Sequence, residues 1–177
     1  ELPQGTPLES ALRRMQTAMQ AAGLNVGIHY AVKANDHTAV LSLIGEEWHG
    51  ADIVSGGELA RTQRAGIAAG RVVFSGVGKT DAELEQAISL GVGQINVESA
   101  EELAIISAIA SRLGRTAKVA LRVNPDVDAK THAKITTGLA ANKFGIPFAT
   151  PQPCMLMLPA CRAFSPSALP PILAARS

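Results

Sequence analysis

Five short apolar runs recur along the chain: GIHYAVK (Gly27–Lys33), ADIV (Ala51–Val54), RVVF (Arg71–Phe74), QINV (Gln94–Val97) and KVALRV (Lys118–Val123). Val32, Val54, Phe74, Val97 and Leu121 follow one another at 22, 20, 23 and 24 residues. Short apolar runs without strict alternation suit strands buried on both faces. Helix-start chemistry follows almost every run. Ser55-Gly56-Gly57-Glu58, Thr80-Asp81-Ala82-Glu83 and Ser99-Ala100-Glu101-Glu102 each read S/T-x-x-E, the pattern of a capping box. Asn35 or Asp36 is the candidate cap after the first run. Helical spacing comes next, as in Leu84, Ala87 and Ile88, or Leu103, Ile106, Ala110 and Leu113. Gly66, Gly91 and Gly114 stand where those helices should stop.

Strand–helix units repeated at this length predict a parallel sheet with right-handed crossovers. A regular spacing near 22 residues fits a (β/α)8 barrel better than a doubly wound sheet. Five strands make about half such a barrel, and half a barrel leaves two sheet edges open. An amphipathic segment, Leu8 to Met19, precedes the first strand.

Composition changes the picture at one place. Up to Thr150 the chain holds 15 acidic and 14 basic residues; from Pro151 onward it holds no acid, and its only charges are Arg162 and Arg176. Six of the ten prolines and both cysteines, Cys154 and Cys161, lie in that last stretch, which should form little regular structure. The cysteines, seven apart with no histidine nearby, fit neither a metal site nor a disulfide framework. The organisation expected is a helical lead-in over 1–24, the barrel portion over 25–149 and a proline-rich tail over 150–177. A net charge of +1 and 3% aromatic residues argue against nucleic acid and membrane surfaces as partners. No apolar run reaches membrane-spanning length and no export signal is visible, so the expected location is cytoplasmic.

Barrel enzymes keep their chemistry at the C-terminal ends of the strands. Lys33, Asp52 and Arg122 occupy such runs. A lysine at a strand end can attack a carbonyl if apolar burial or a nearby cation favours its neutral form, and Arg122 is a candidate for that cation. The alternative is a buried Asp52–Arg122 ion pair with Lys33 reaching out to solvent, and spacing alone favours it. VVFSGVGKT (Val72–Thr80) ends like a phosphate-binding P-loop, but Val73 stands where that pattern needs its first glycine. It is read instead as a strand, its loop and the next helix cap, which leaves Lys79 no claim on a nucleotide.

At these residues the sequence resembles a known family. HYAVKAND resembles the lysine motif of the fold-type III pyridoxal-phosphate decarboxylases. ADIVSGGEL, VVFSGVGKT, INVES, ALRVNPDVDAKTHAKITTG and NKFGIP follow in the order found in its diaminopimelate decarboxylase branch. SGGEL and RVNPDVDAKTHAKI argue against the ornithine and arginine branches. The resemblance covers Gly27 to Pro147 and implies an α/β fold: a partial (β/α)8 barrel of the alanine racemase-like kind, with about five parallel strands and no C-terminal β domain. It implies pyridoxal 5'-phosphate as cofactor, with Lys33 as the catalytic lysine that bonds it and Asp52 and Arg122 lining the cofactor end. Glu58 follows in the same motif as Asp52, and Lys143 matches a position near a subunit interface. His29, His37 and His132 match no catalytic position. The implied reaction converts meso-2,6-diaminopimelate to L-lysine and CO2, the last step of lysine biosynthesis, in a homodimer.

The resemblance stops near Phe148. The family's ring-stacking histidine, glycine-rich phosphate loop, glutamate–arginine segment, cysteine–glutamate motif and active-site tyrosine have no counterpart here. The chain is therefore expected to be a truncated, inactive version. The alternative is a non-enzymatic fragment with at most weak cofactor binding. An abrupt, acid-free, proline-rich ending is what a reading-frame shift in a GC-rich gene would produce.

Overall fold

The computed structural model describes residues 7–24, 26–47, 50–124, 145–147, 161–163 and 172–175. Helix α1 (Pro7–Ala21) leads into β1 (Gly27–Ala31), which ends in a short 3-10 turn, Val32–Ala34. Four strand–helix steps follow: α2 (Thr38–Glu47), β2 (Gly50–Ile53), α3 (Gly56–Arg64), β3 (Val72–Phe74), α4 (Asp81–Leu90), β4 (Gln94–Val97), α5 (Ala100–Arg112) and β5 (Ala117–Leu121). The five strands lie side by side in chain order and run parallel. This is an arc of a (β/α)8 barrel.

Side chains alternate across a strand, so register sorts the sheet into two faces. Ile28 and Tyr30, Ala51 and Ile53, Val72 and Phe74, Ile95 and Val97, and Val119 and Leu121 share one face and join the apolar core. Against them pack Leu12, Leu41, Ile44, Leu59, Leu84, Ile88, Leu103 and Ile106 from all five helices. The other face carries His29, Ala31, Gly50, Asp52, Val73, Gln94 and Asn96. The strands therefore alternate apolar with polar or small residues, except β3, whose Val73 is apolar and buried on the second face as well. Small residues such as Gly50, Ala51 and Ala120 hide the period, which makes the runs read as uniformly apolar.

Gly66, Gly91 and Gly114 stop α3, α4 and α5 with φ of 82°, 74° and 62°. After the first strand neither predicted residue caps the helix. His37 does: its Nδ1 accepts from the Ala39 N–H at 3.3 Å. Asn35 instead accepts the His37 N–H, and Asp36 pairs with Arg61 at 2.8 Å.

The edges also differ from expectation. Beyond β6 (Val123–Asn124) and β7 (Ile146–Pro147), which pair with each other, the proline-rich stretch supplies β8 (Cys161–Ala163) and β9 (Ile172–Ala175). β8 pairs with Ala117–Val119 and β9 with Gly27–Tyr30, both parallel. Open edges expose unpaired backbone groups, and short proline-free stretches can satisfy them. No described helix is long and apolar enough to cross a membrane.

Two glycines mark close backbone approaches. A Cβ on Gly50 would lie 2.0 Å from the Arg71 carbonyl and 2.6 Å from the His29 ring; one on Gly93 would lie 2.3 Å from the Gly70 carbonyl. Gly70 itself has nothing within 4 Å of that position. Gly50→Ala and Gly93→Ala should each cost at least about 1–3 kcal/mol in urea unfolding. Gly70→Ala should stay within about 0.5 kcal/mol; equal midpoints for all three would contradict this packing.

Candidate functional site

The loops after β1 to β5 form one rim, and hydrogen bonds at helix starts fix their positions. Thr80 closes a full capping box with Glu83: the Glu83 N–H donates to Thr80 Oγ1 at 3.3 Å, and the Thr80 N–H donates to Glu83 Oε2 at 2.9 Å. The other two predicted boxes close differently. Ser55 and Ser99 accept from the Glu58 and Glu102 N–H groups at 3.2 Å. The two glutamates, however, reach one residue further back, to the N–H groups of Val54 and Glu98, at 2.7 Å each. Glu83 also accepts the Gly56 N–H at 2.7 Å, joining the start of α3 to the start of α4.

Lys79 ties the next loops together. Its ammonium donates to the carbonyls of Gly76 and Asn96 at 2.7 Å and to Glu102 Oε1 at 2.8 Å, and it lies 5.7 Å from the centre of the Phe74 ring. Its side chain is only 1% exposed, so this cation is a structural member of the rim.

The polar face carries a hydrogen-bonded row ending near Lys33. Ser75 Oγ donates to Asp52 Oδ1 at 2.5 Å, and Asn96 Nδ2 donates to Ser75 Oγ at 2.9 Å. Gln94 Nε2 donates to Asn96 Oδ1 at 2.7 Å. Burial raises the Asp52 carboxyl above its ordinary range, while the Ser75 hydroxyl, then Lys33, then His29 draw it down. Asp52 thus stands within electrostatic reach of Lys33, which lies two residues beyond Ala31, its register partner. Burial likewise raises Glu58, the Val54 N–H opposing it and the neighbouring Asp36 and Asp52 adding to it.

The structure brings Lys33 and Asp52 together but not Asp52 and Arg122. Arg122 lies beyond β5, three strands from Asp52, about 14 Å at ordinary strand spacing. Its guanidinium pairs with Glu98 at 3.1 Å, a carboxylate only 7% exposed. The expected Asp52–Arg122 pair gives way to nearer partners for both. Lys33 is exposed rather than set among apolar neighbours, and the charge identified beside it is the anion of Asp52. Ser75, Gln94, Asn96 and Glu98 escaped the sequence reading, which followed charged residues inside strand runs. Polar residues two apart in QINV were the available signal for Gln94 and Asn96. Among the described residues, no group of three His, Cys, Asp or Glu could hold a metal ion. Lys143 and His132 lie outside the described residues.

The family model of the pyridoxal-dependent decarboxylase pyridoxal-binding domain matches residues 7–163. Diaminopimelate decarboxylase of Neisseria meningitidis serogroup B is 52% identical over 142 residues, which are 80% of this chain and 34% of that protein. The Aquifex aeolicus enzyme of the same name is 46% identical over 146 residues, 80% of this chain and 35% of the relative. Among solved structures, Helicobacter pylori diaminopimelate decarboxylase complexed with L-lysine superposes with a TM-score of 0.78 at 41% identity, covering 86% of this chain and 40% of that one. The chain spans about a third of the length of the curated relatives it matches.

Two outcomes test the rim. Lys79→Met leaves Glu102 without its buried cation and should cost about 3–5 kcal/mol in chemical unfolding; a loss below about 1 kcal/mol would contradict the role given to Lys79. The Gly56 N–H, then the Thr80 N–H, hold the Glu83 carboxyl below its ordinary value of 4.5. Because its folded value is depressed, this stabilisation is complete above the unfolded value and is lost as pH falls through the folded one. Glu83→Gln should therefore be less stable than the parent at pH 7, and the gap should close on acidification below about pH 4.5. A gap independent of pH would exclude this linkage.

Proposed function

The chain belongs to the pyridoxal-dependent decarboxylases, and we propose that it bonds pyridoxal 5'-phosphate, the cofactor of that family, through Lys33. The observation carrying this reading is an exposed amine at the C-terminal rim of β1, beside the carboxylate of Asp52. A primary amine open to solvent fits the aldehyde end of the cofactor. Asp52 is proposed to sit at that end, holding or taking up a proton at its carboxylate. Arg122 is proposed to line the cofactor across the rim, its guanidinium steadied by Glu98.

For the whole protein we propose decarboxylation of meso-2,6-diaminopimelate at its D-configured centre, giving L-lysine and CO2, by a homodimer in the cytoplasm. Relatives at 46–52% identity carry the name of that enzyme, and one solved relative holds L-lysine. Likeness to a chlorella-virus arginine decarboxylase at 24% identity speaks only to the fold. When bound, the cofactor supplies an electron sink for the pair left behind as CO2 departs. Lys33 supplies its point of attachment, and the row behind Asp52 supplies fixed polar atoms. The 177 residues alone are proposed to be inactive, because the resemblance assigns further cofactor and substrate groups to segments beyond the matched motifs.

Mixing the chain with pyridoxal 5'-phosphate, reducing with borohydride and mapping peptides should place most label on Lys33, and Lys33→Ala should lose it. Label scattered over surface lysines would sink the Lys33 assignment. Steady CO2 release from meso-diaminopimelate by the isolated chain would refute its proposed inactivity.

A further inference from the structure

We infer that Ser75 and Asn96 are positioning residues which together fix the rotation of the Asp52 carboxylate beside Lys33. The inference rests on the reading of Lys33 as the cofactor lysine. Every donor in the row points the same way. The Gln94 amide donates to the Asn96 side-chain carbonyl, the Asn96 amide donates to the Ser75 hydroxyl, and that hydroxyl donates to Asp52 Oδ1. A serine hydroxyl has one hydrogen, so accepting from Asn96 aims it at the carboxylate. Holding Oδ1 sets the rotation of the carboxylate and hence the direction of its second oxygen. The Asn96 main chain is pinned in turn, because its carbonyl accepts from the buried Lys79 ammonium at 2.7 Å.

Packing alone does not explain this row. The sheet face that fills space against the helices is apolar, and Val73 fills its own position on the polar face at 4% exposure. A face needing only to be filled would take more valines. The row instead ends in one hydroxyl donor to a carboxylate that burial would otherwise push toward its neutral form. The charged groups facing Asp52 are Lys33 and His29 from the β1 side and Glu58 from α3.

The test follows the Asp52 carboxyl carbon by NMR in the full 177-residue chain, assigned with Asp52→Asn, and traps pyridoxal 5'-phosphate in parallel. Ser75→Ala should raise the Asp52 titration midpoint by about one pH unit, and Ser75→Thr, which keeps the hydroxyl, should restore it. Asn96→Ala keeps the Ser75 hydroxyl but removes the amide that aims it, together with the acceptor of the Gln94 amide, and should move the midpoint the same way by less. The pH profile of borohydride-trapped label at Lys33, measured between about pH 6 and 9, should move with Ser75→Ala and return with Ser75→Thr. An unmoved Asp52 midpoint in Ser75→Ala, or a shift that Ser75→Thr fails to reverse, overturns the inference while Lys33 labelling still stands. Parent chain taking no label at Lys33 fails the functional reading itself, and the inference falls with it.

Discussion

The rim of this sheet depends on the buried ammonium of Lys79. Removing a cation from water costs several kcal/mol unless its donors are all met. Here the Gly76 and Asn96 carbonyls and the Glu102 carboxylate meet all three. These acceptors come from the loop after β3, from β4 and from α5, so satisfying one charge fixes three segments at once. Glu102 passes the constraint on, since its other oxygen accepts the Glu98 N–H. Glu98 in turn holds Arg122 at the end of β5. Glu83 does the same between α3 and α4. Anions are favoured at helix N-termini, so Glu83 and Glu102, in the first turns of α4 and α5, also join neighbouring β/α units.

Two kinds of cohesion therefore divide the sheet. On the helix-facing side, Ile28, Ile53, Phe74, Ile95 and Val119 gain stability by leaving water, an effect without direction. On the opposite side, direction is what matters, because a hydrogen bond weakens steeply when its geometry is wrong. Helix packing holds each strand at its depth, and the rim contacts hold its end. The Asp52–Ser75–Asn96–Gln94 row spans β2, the end of β3 and β4. It can form only because both constraints set the register of those strands.

Much of this was legible in the sequence, and the failures have physical reasons. Helix starts and stops were readable because caps and left-handed glycines are local. Thr80 and the two serines show the limit of that locality: the same S/T-x-x-E pattern closes at the cap in one case and one residue earlier in two. The pattern fixes which groups bond, while the path of the incoming strand decides which N–H is in reach. Strand partners of the polar residues are non-local. Opposite charge made Asp52 and Arg122 look like a pair, yet strand order puts Ser75 beside one and Glu98 beside the other. Lys33 stood out by its place at a strand end, but only the family resemblance gave it the cofactor role, since an exposed lysine after a strand has no distinguishing physical mark of its own.

That exposure changes how the proposed site has to work. A lysine activated by apolar burial would carry its own means of losing a proton, whereas Lys33 stands at the surface beside a partly buried acid. Asp52 is pulled two ways, burial favouring its neutral form and Ser75, Lys33 and His29 favouring its charged form. Any reaction that discharges the Lys33 ammonium removes one of those three supports. The balance at Asp52 then tilts toward burial, which favours its neutral form. Ser75 sets how far the tilt goes, because its hydrogen bond is the largest support that remains once the lysine's charge is gone.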